Sequence, residues 1–400
     1  MPESHAPHIS LKRDSKGRIA ERTLTLGGMP ETRRYAYDPA GRLAQVTDER
    51  GGLLESYTYD HQARRLADIR PQSQVGERRF SYGHGNRLAA AGETQYSHDR
   101  AGFRNLKVEG APGLGGAETW YHYEPSGLLL AVDLPGGSRI EYAYDKHGLR
   151  REKRLDGRLV AAYDWLDPLR LSEFFDGREW WRLAYTEGRT PVGVTNGRDS
   201  FLLLADQLGT PVALATPDGR IVQSMRYDSF GNLLESRGGV VDLPLGFAGG
   251  LFDRDTGLTR FVWREYDAET GRFTALDPLR EKGGDADFYG YCVDDPVNRV
   301  DVWGLEGSWW DGAGGRIVRR DIEGAGTGAI GGAVAGSPTG VGIPLGAIVG
   351  GLMGLPTGML KGTLEEIGRP SNKNDTEGSQ PQEDAPSEAR KALEEWWRRL

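Results

Sequence analysis

Apolar and polar residues alternate along short stretches of this chain, with a period of two. In Arg139-Ile140-Glu141-Tyr142-Ala143-Tyr144 the alternation places Ile140, Tyr142 and Tyr144 on one face of a β-strand. A turn follows. Asp38-Pro39-Ala40-Gly41 has Asp first, Pro second and Gly fourth, the preferences of a type I turn. Asp14-Ser15-Lys16-Gly17, Asp145-Lys146-His147-Gly148 and Asp228-Ser229-Phe230-Gly231 reuse the Asp and the Gly. A second strand comes next, as in Arg42-Leu43-Ala44-Gln45-Val46. The phrase Tyr-x-Tyr-Asp marks the unit at Tyr35/Tyr37/Asp38, Tyr57/Tyr59/Asp60 and Tyr142/Tyr144/Asp145, with looser copies at Tyr121/Tyr123/Glu124 and Arg226/Tyr227/Asp228. Its second tyrosines recur about every twenty residues, the sign of a repeat architecture. The pattern predicts a mainly β chain built from a long antiparallel sheet.

Composition agrees. Of 400 residues 58 are Gly and 16 Tyr, which suits many short strands and frequent turns rather than a helical bundle. The tyrosines serve either carbohydrate stacking or cross-strand packing, and the alternation favours packing. A formal charge of −8 argues against a nucleic-acid binder, which would carry a basic face. The one cysteine, Cys292, allows no intrachain disulfide, and the seven histidines lack ligand-like spacing, so no metal or cofactor is expected. Residues Met1 to Leu11 have no apolar core of the kind a signal peptide needs, so export would depend on other machinery.

The Tyr-Asp units resemble the YD repeats of Rhs proteins and of the C components of insecticidal toxin complexes. Asp206-Gln207-Leu208-Gly209-Thr210-Pro211 is similar to the phrase just upstream of the Rhs core. Asp255-Thr256-Gly257-Leu258, Arg264-Glu265-Tyr266-Asp267 and Gly271-Arg272-Phe273 are similar to the core itself. The resemblance implies a YD-repeat shell segment over residues 1–205, a core with a self-cleavage site over 206–305, and a variable effector tail over 306–400. It implies a sheet that forms part of a hollow shell around a toxic C-terminal segment. It also implies delivery by a contact-dependent or type VI-like route in competition between bacteria, and a cognate immunity protein. Fewer than ten recognisable units precede the core, so a second shell chain or a component of the secretion machine is expected to complete the enclosure.

By the same resemblance, Asp277 and Asp301 match the aspartyl dyad of an intramolecular protease, Arg264 the arginine that supports it, and Leu305–Glu306 the bond that is cut. The chemistry is coherent. Two carboxylates held close share a proton, and the ionised one can activate water while the neutral one polarises a carbonyl. A tethered substrate has a high effective concentration. Read without the motif, both aspartates are turn caps, since Asp-Pro commonly starts a turn. Three positions depart from the family phrases: Val302 stands for proline, Glu265 for tyrosine and Asp287 for asparagine.

After Leu305 the character changes. Residues 306–400 contain no His, Cys, Tyr or Phe, which removes zinc deaminases, His-based nucleases and Cys or Ser–His hydrolases. Glycines recur every fourth position at 324, 328, 332, 336 and 340, and again from 342 to 362, with no charge between 324 and 360. On a helix that spacing makes a stripe for close helix contact, so 324–362 predicts a small α-helical glycine-zipper hairpin suited to a membrane. A flexible glycine-rich segment, or a hairpin packed inside the shell, is the other reading. Residues 370–386 are polar and read as a disordered linker. Residues 387–400 read as an amphipathic helix, with Trp396-Trp397-Arg398-Arg399 suited to a membrane interface or to a partner.

Overall fold

The computed structural model describes residues 7–73, 75–110, 115–280 and 285–305. The tail regions and Glu306 lie outside the described residues. Twenty-two strands, from β1 (His8–Arg13) to β22 (Leu233–Gly238), form one sheet in which consecutive strands pair antiparallel. The Asp206 phrase is the hairpin turn between β19 (Ser200–Ala205) and β20 (Pro211–Ala215), so the sheet runs on past residue 206. A second sheet has four short strands: β23 (Leu251–Asp253), β24 (Leu258–Phe261), β25 (Arg264–Asp267) and β26 (Arg272–Phe273). The regular helices among the described residues are single 3₁₀ turns.

The repeat carries more than alternation. In the turn at Asp38, the Gly41 amide donates to the Asp38 carbonyl at 3.0 Å, and the Asp38 carboxylate accepts from the Arg42 amide at 3.0 Å and from Arg42 Nε at 2.7 Å. That arginine lies over the ring of Tyr59, 4.6 Å from its centroid, and the Tyr59 hydroxyl donates to the Leu43 carbonyl at 2.8 Å. Arg18 with Tyr37 and Arg64 with Tyr82 repeat the arrangement. Tyr37, Tyr59 and Tyr82 therefore lock their units to the ones before, whereas the Tyr123 hydroxyl meets Thr274 of the core; the first of each pair, such as Tyr57 and Tyr142, is buried on the concave face. The packing reading of these tyrosines accounts for their contacts.

The sheet curls until its ends lap. Strand β20 is buried along its whole length. Leu214 packs on one side with Leu203, Met225, Val241 and Leu243. Ala213 and Ala215 pack on the other against Leu24 and Leu26 of β2 (Ile19–Leu26). Arg33 donates to the Tyr227 carbonyl across this seam at 2.7 Å. Side chains close the curl; in the ladder, β1 and β22 each have one partner among the described strands.

The concave face is filled by the chain's own core, residues 241–305. Leu258 packs against Tyr121, Ile140 and Tyr142, and Val297 packs against Leu43 and Tyr57. Ion pairs join wall to core: Arg104 to Asp267 at 2.6 Å, Arg78 to Glu269 at 3.0 Å, Arg150 to Glu265 at 2.9 Å and Lys153 to Asp253 at 2.6 Å. Among the described residues this face is occupied by the core; the enclosed tail that the resemblance implies lies outside them. Twenty-two strands about 4.8 Å apart make roughly 105 Å of wall, a circumference that one core of this size occupies. The gap left beside Lys107 and Arg254 measures about 460 Å³, and that at the lapped seam about 360 Å³, the size of small-molecule sites.

Gly271 shows how closely wall and core meet. It has a φ of +69°, and a Cβ there would run into the Arg65 guanidinium and lie 2.9 Å from the Phe230 ring. Gly271→Ala is expected to cost about 2–4 kcal/mol through backbone strain and overpacking, measured by urea denaturation of the full chain. A cost below roughly 0.5 kcal/mol would mean that the wall does not close on the core at this point.

Candidate active site

The β24–β25 hairpin positions Arg264. Its side chain is buried beneath the Phe273 ring, 3.7 Å from the centroid, which holds the guanidinium flat while its nitrogens fan out. Nη2 donates to Asp277 Oδ2 at 3.0 Å and lies 3.6 Å from Asp301 Oδ2. Nη1 donates to the Phe288 carbonyl at 3.2 Å, and Nε donates to the carbonyl of Gly304. One guanidinium thus gathers both aspartates and the main chain next to Leu305.

Each aspartate also caps its own turn. Asp277 Oδ1 accepts from the Leu279 amide at 2.7 Å, and Asp301 Oδ1 accepts from the Leu305 amide at 2.9 Å. The turn-capping reading and the dyad reading use different oxygens of the same carboxylates. Residues 301–305 fold onto the hairpin: the Trp263 amide donates to the Trp303 carbonyl at 3.0 Å, and Leu305 is buried. Gly304 has a φ of +70°, and a Cβ there would lie 3.1 Å from the Arg264 amide, so a side chain would push this segment off.

The electrostatics are unbalanced, with two buried carboxylates facing one guanidinium. Burial pushes Asp301 up to about 6; Arg264 and the Leu305 amide oppose the rise, and the neighbouring Asp277 adds to it. Burial raises Asp277 as well, against Arg264. Asp277 has the closer guanidinium contact, while Asp301 Oδ2 is buried without a hydrogen bond. Asp301 is therefore the member that keeps a proton.

The departing positions have partners of their own. Glu265 accepts from Arg150 at 2.9 Å and from Arg260 at 2.8 Å, tying the strand that carries Arg264 to the wall. Asp287 pairs with Arg272 through both oxygens, and Val302 is buried. The Phe288 carbonyl, which accepts from Arg264 and from the Asp277 amide, escaped sequence reading because a main-chain contact leaves no residue signature. Among the described residues no cluster of His, Cys, Asp or Glu is arranged to hold a metal.

The imbalance makes a prediction. The folded chain holds a proton on Asp301 that the unfolded chain releases above its ordinary value of 3.8. Stability therefore falls as pH rises from about 4 to about 6 and stays lowered above that. Asp301→Asn keeps the Oδ1 acceptor and leaves Arg264 paired with Asp277 alone. It should raise stability at pH 7.5 by up to about 3 kcal/mol and by little at pH 4, read as thermal midpoints across pH. Equal midpoints for the two chains at pH 7.5 would contradict the buried surplus charge.

A family model described as Teneurin YD-shell matches residues 4–297. The probable deoxyribonuclease RhsB of Dickeya dadantii is 30% identical over 307 residues, which cover 69% of this chain and 21% of that protein. Teneurin-3 of Danio rerio is 28% identical over 279 residues, covering 67% and 10%. The double-stranded DNA deaminase toxin A of Burkholderia cenocepacia is 28% identical over 333 residues, covering 74% and 22%. Among solved structures, the Tc holotoxin pore of Photorhabdus luminescens aligns with a TM-score of 0.40 at 13% identity, over 76% of this chain and 18% of that one. The chain spans between a tenth and about a fifth of the length of these relatives. With the family model covering nearly three quarters of its length, the chain belongs to the Teneurin YD-shell family, as an Rhs/YD-repeat shell protein.

Proposed function

We propose that this chain is the core-bearing portion of a toxin-delivery shell, and that it cuts itself once, between Leu305 and Glu306, to free a C-terminal effector. The observation that carries the reading is the convergence of Asp277, Asp301 and the Gly304–Leu305 main chain on Arg264. In this reaction ionised Asp277 takes a proton from water as the water attacks the Leu305 carbonyl carbon. Asp301 gives its proton to the carbonyl oxygen, forming a tetrahedral diol. Asp277 then passes the proton it took from water to the Glu306 nitrogen, which leaves as an amine as the C–N bond breaks, while a diol hydroxyl returns a proton to Asp301 and the Leu305 carboxyl group forms. Arg264 holds the Gly304 carbonyl in place and keeps Asp277 ionised. Among the relatives, two are described as probable deoxyribonucleases and one as a deaminase toxin, which supports a toxin cargo as the thing released. Completion of the shell by another chain, delivery by a secretion machine and neutralisation by an immunity protein belong to the same proposal.

Intact mass of the purified chain decides the cleavage. Wild type should yield two masses that divide after Leu305, while Asp277→Asn and Asp301→Asn should each yield one. An uncut wild type, folded under native conditions, returns both aspartates to turn capping alone.

For the effector, the uncharged stretch 324–360 with its two glycine ladders supports membrane activity. The fragment released from wild type is expected to leak dye from liposomes. Gly346→Leu or Gly350→Leu should cut that leakage several-fold while lipid binding persists. Absence of leakage from the wild-type fragment would move the proposal to an enzymatic cargo.

A further inference from the structure

From Asp277 to Leu305 the described core carries six aspartates: Asp277, Asp285, Asp287, Asp294, Asp295 and Asp301. All are buried except Asp285, which is half-buried. Three buried guanidiniums, Arg272, Arg264 and Arg65, lie among them. Arg272 is used up on both oxygens of Asp287, and Arg264 is shared by Asp277 and Asp301. Arg65 faces Asp294 from β6 (Arg65–Arg70), but its ion pair is with Asp68 at 3.6 Å. It lies over Phe230, 4.0 Å from the centroid, and its nitrogens make no hydrogen bonds. Asp285, Asp294 and Asp295 have no ion pair among the described residues. Tyr59 and Tyr82 also face Asp294, and Asp285 and Asp287 add negative charge to it. Arg264 and Arg272 face Asp285, while Arg18, Arg299 and the Asn298 amide face Asp295.

Backbone geometry adds a second, independent feature. Cys292, Val293 and Asp294 lie consecutively in the left-handed region, with φ of 55°, 52° and 55°. For a β-branched residue such as Val293 this conformation is strained, and docking against the wall has to maintain it. A surplus of buried carboxylates and a strained turn thus sit in the one segment that closes over Arg264.

We propose that residues 285–305 form a proton-dependent clasp, docked while the surplus carboxylates are neutral and opening as they ionise, so that pH sets how often the candidate cleavage site is assembled. The consequence for cleavage rests on the proposed function; the clasp itself does not. Its sign follows from burial. Burial holds Asp294 up at about 8 and Asp285 up at about 6, so the docked segment keeps protons that the open segment would release. Docking weakens as pH rises from about 4, the ordinary carboxyl value, and is weakest above about 8. The open segment withdraws the Leu305 amide from Asp301 and the Gly304 carbonyl from Arg264. Cleavage, where it occurs, is then favoured on the acid side.

Hydrogen exchange read by mass spectrometry tests the clasp in the full chain, cut or uncut, because residues 285–305 belong to the described core. After correction for the intrinsic rate, protection of 285–305 should fall at least about tenfold between pH 6 and pH 8.5, with strands β19 and β20 unchanged. Asn accepts left-handed φ readily, so Asp294→Asn should fold, and its loss of protection should shrink to below about threefold. The idea is overturned by equal protection of 285–305 at the two pH values, by a parallel loss in β19 and β20, or by an unaltered loss in Asp294→Asn. Wild type that never cuts but shows the pH-dependent exchange would refute the protease reading and leave the clasp standing.

Discussion

Buried guanidinium–carboxylate pairs join the concave face of the sheet to the core, and the curl of the sheet depends on them. Arg104 reaches Asp267 and Arg150 reaches Glu265, the Lys153 ammonium makes the same kind of pair with Asp253, and Arg70 ties the sheet to its own turn at Asp228, with every one of these side chains nearly removed from solvent. Removing one member of such a pair strands the other charge in low dielectric, at a cost of about 3–5 kcal/mol. Pairs of this kind specify position more than they add stability. Arg104, Arg150 and Lys153 each meet an acid of the core, which fixes where these strands lie on it.

Arg264 extends that series with a difference. Arg104 faces one acid of the core and Glu265 is shared by Arg150 and Arg260, whereas at Arg264 one guanidinium serves two aspartates. Excess negative charge in an apolar interior is destabilising, and the raised proton affinity of Asp277 and Asp301 follows from it. Strain and unbalanced charge concentrate where a fold does chemistry. The short link from the wall through Arg150 and Glu265 to the strand bearing Arg264 means that the site is complete only once the wall has wrapped.

Glu265 and Asp287 illustrate why departures from a motif need the surrounding structure. Glu265 takes two arginines that would otherwise be unpaired in the interior, and Asp287 makes a two-oxygen pair with Arg272. Neither disturbs Arg264. The raised proton affinity of the candidate dyad comes first from burial, with Arg264 opposing it and Asp277 adding to it at Asp301.

While the carboxylate pair near Leu305 was implied only by its resemblance to the Rhs core, the sequence by itself determined the alternating strands of the repeat, the Asp-to-Gly turns and the shared face of each Tyr-x-Tyr pair. These are local properties, because alternation and turn chemistry act within a few residues. Only the tertiary structure decided the rest. The arginines over Tyr37, Tyr59 and Tyr82 join units about twenty residues apart, and the period alone does not name them. Whether the sheet stays open, encloses space or wraps its own core depends on how many strands there are and what they close on. Among the described residues the core lies within the curl. The meeting of Asp277 with Asp301 depends on Arg264, Phe288 and Gly304 being folded onto one hairpin, with the wall's own arginines fixing that hairpin in place. Proton affinities follow burial and the balance of neighbouring charge, which exist only after the chain has packed.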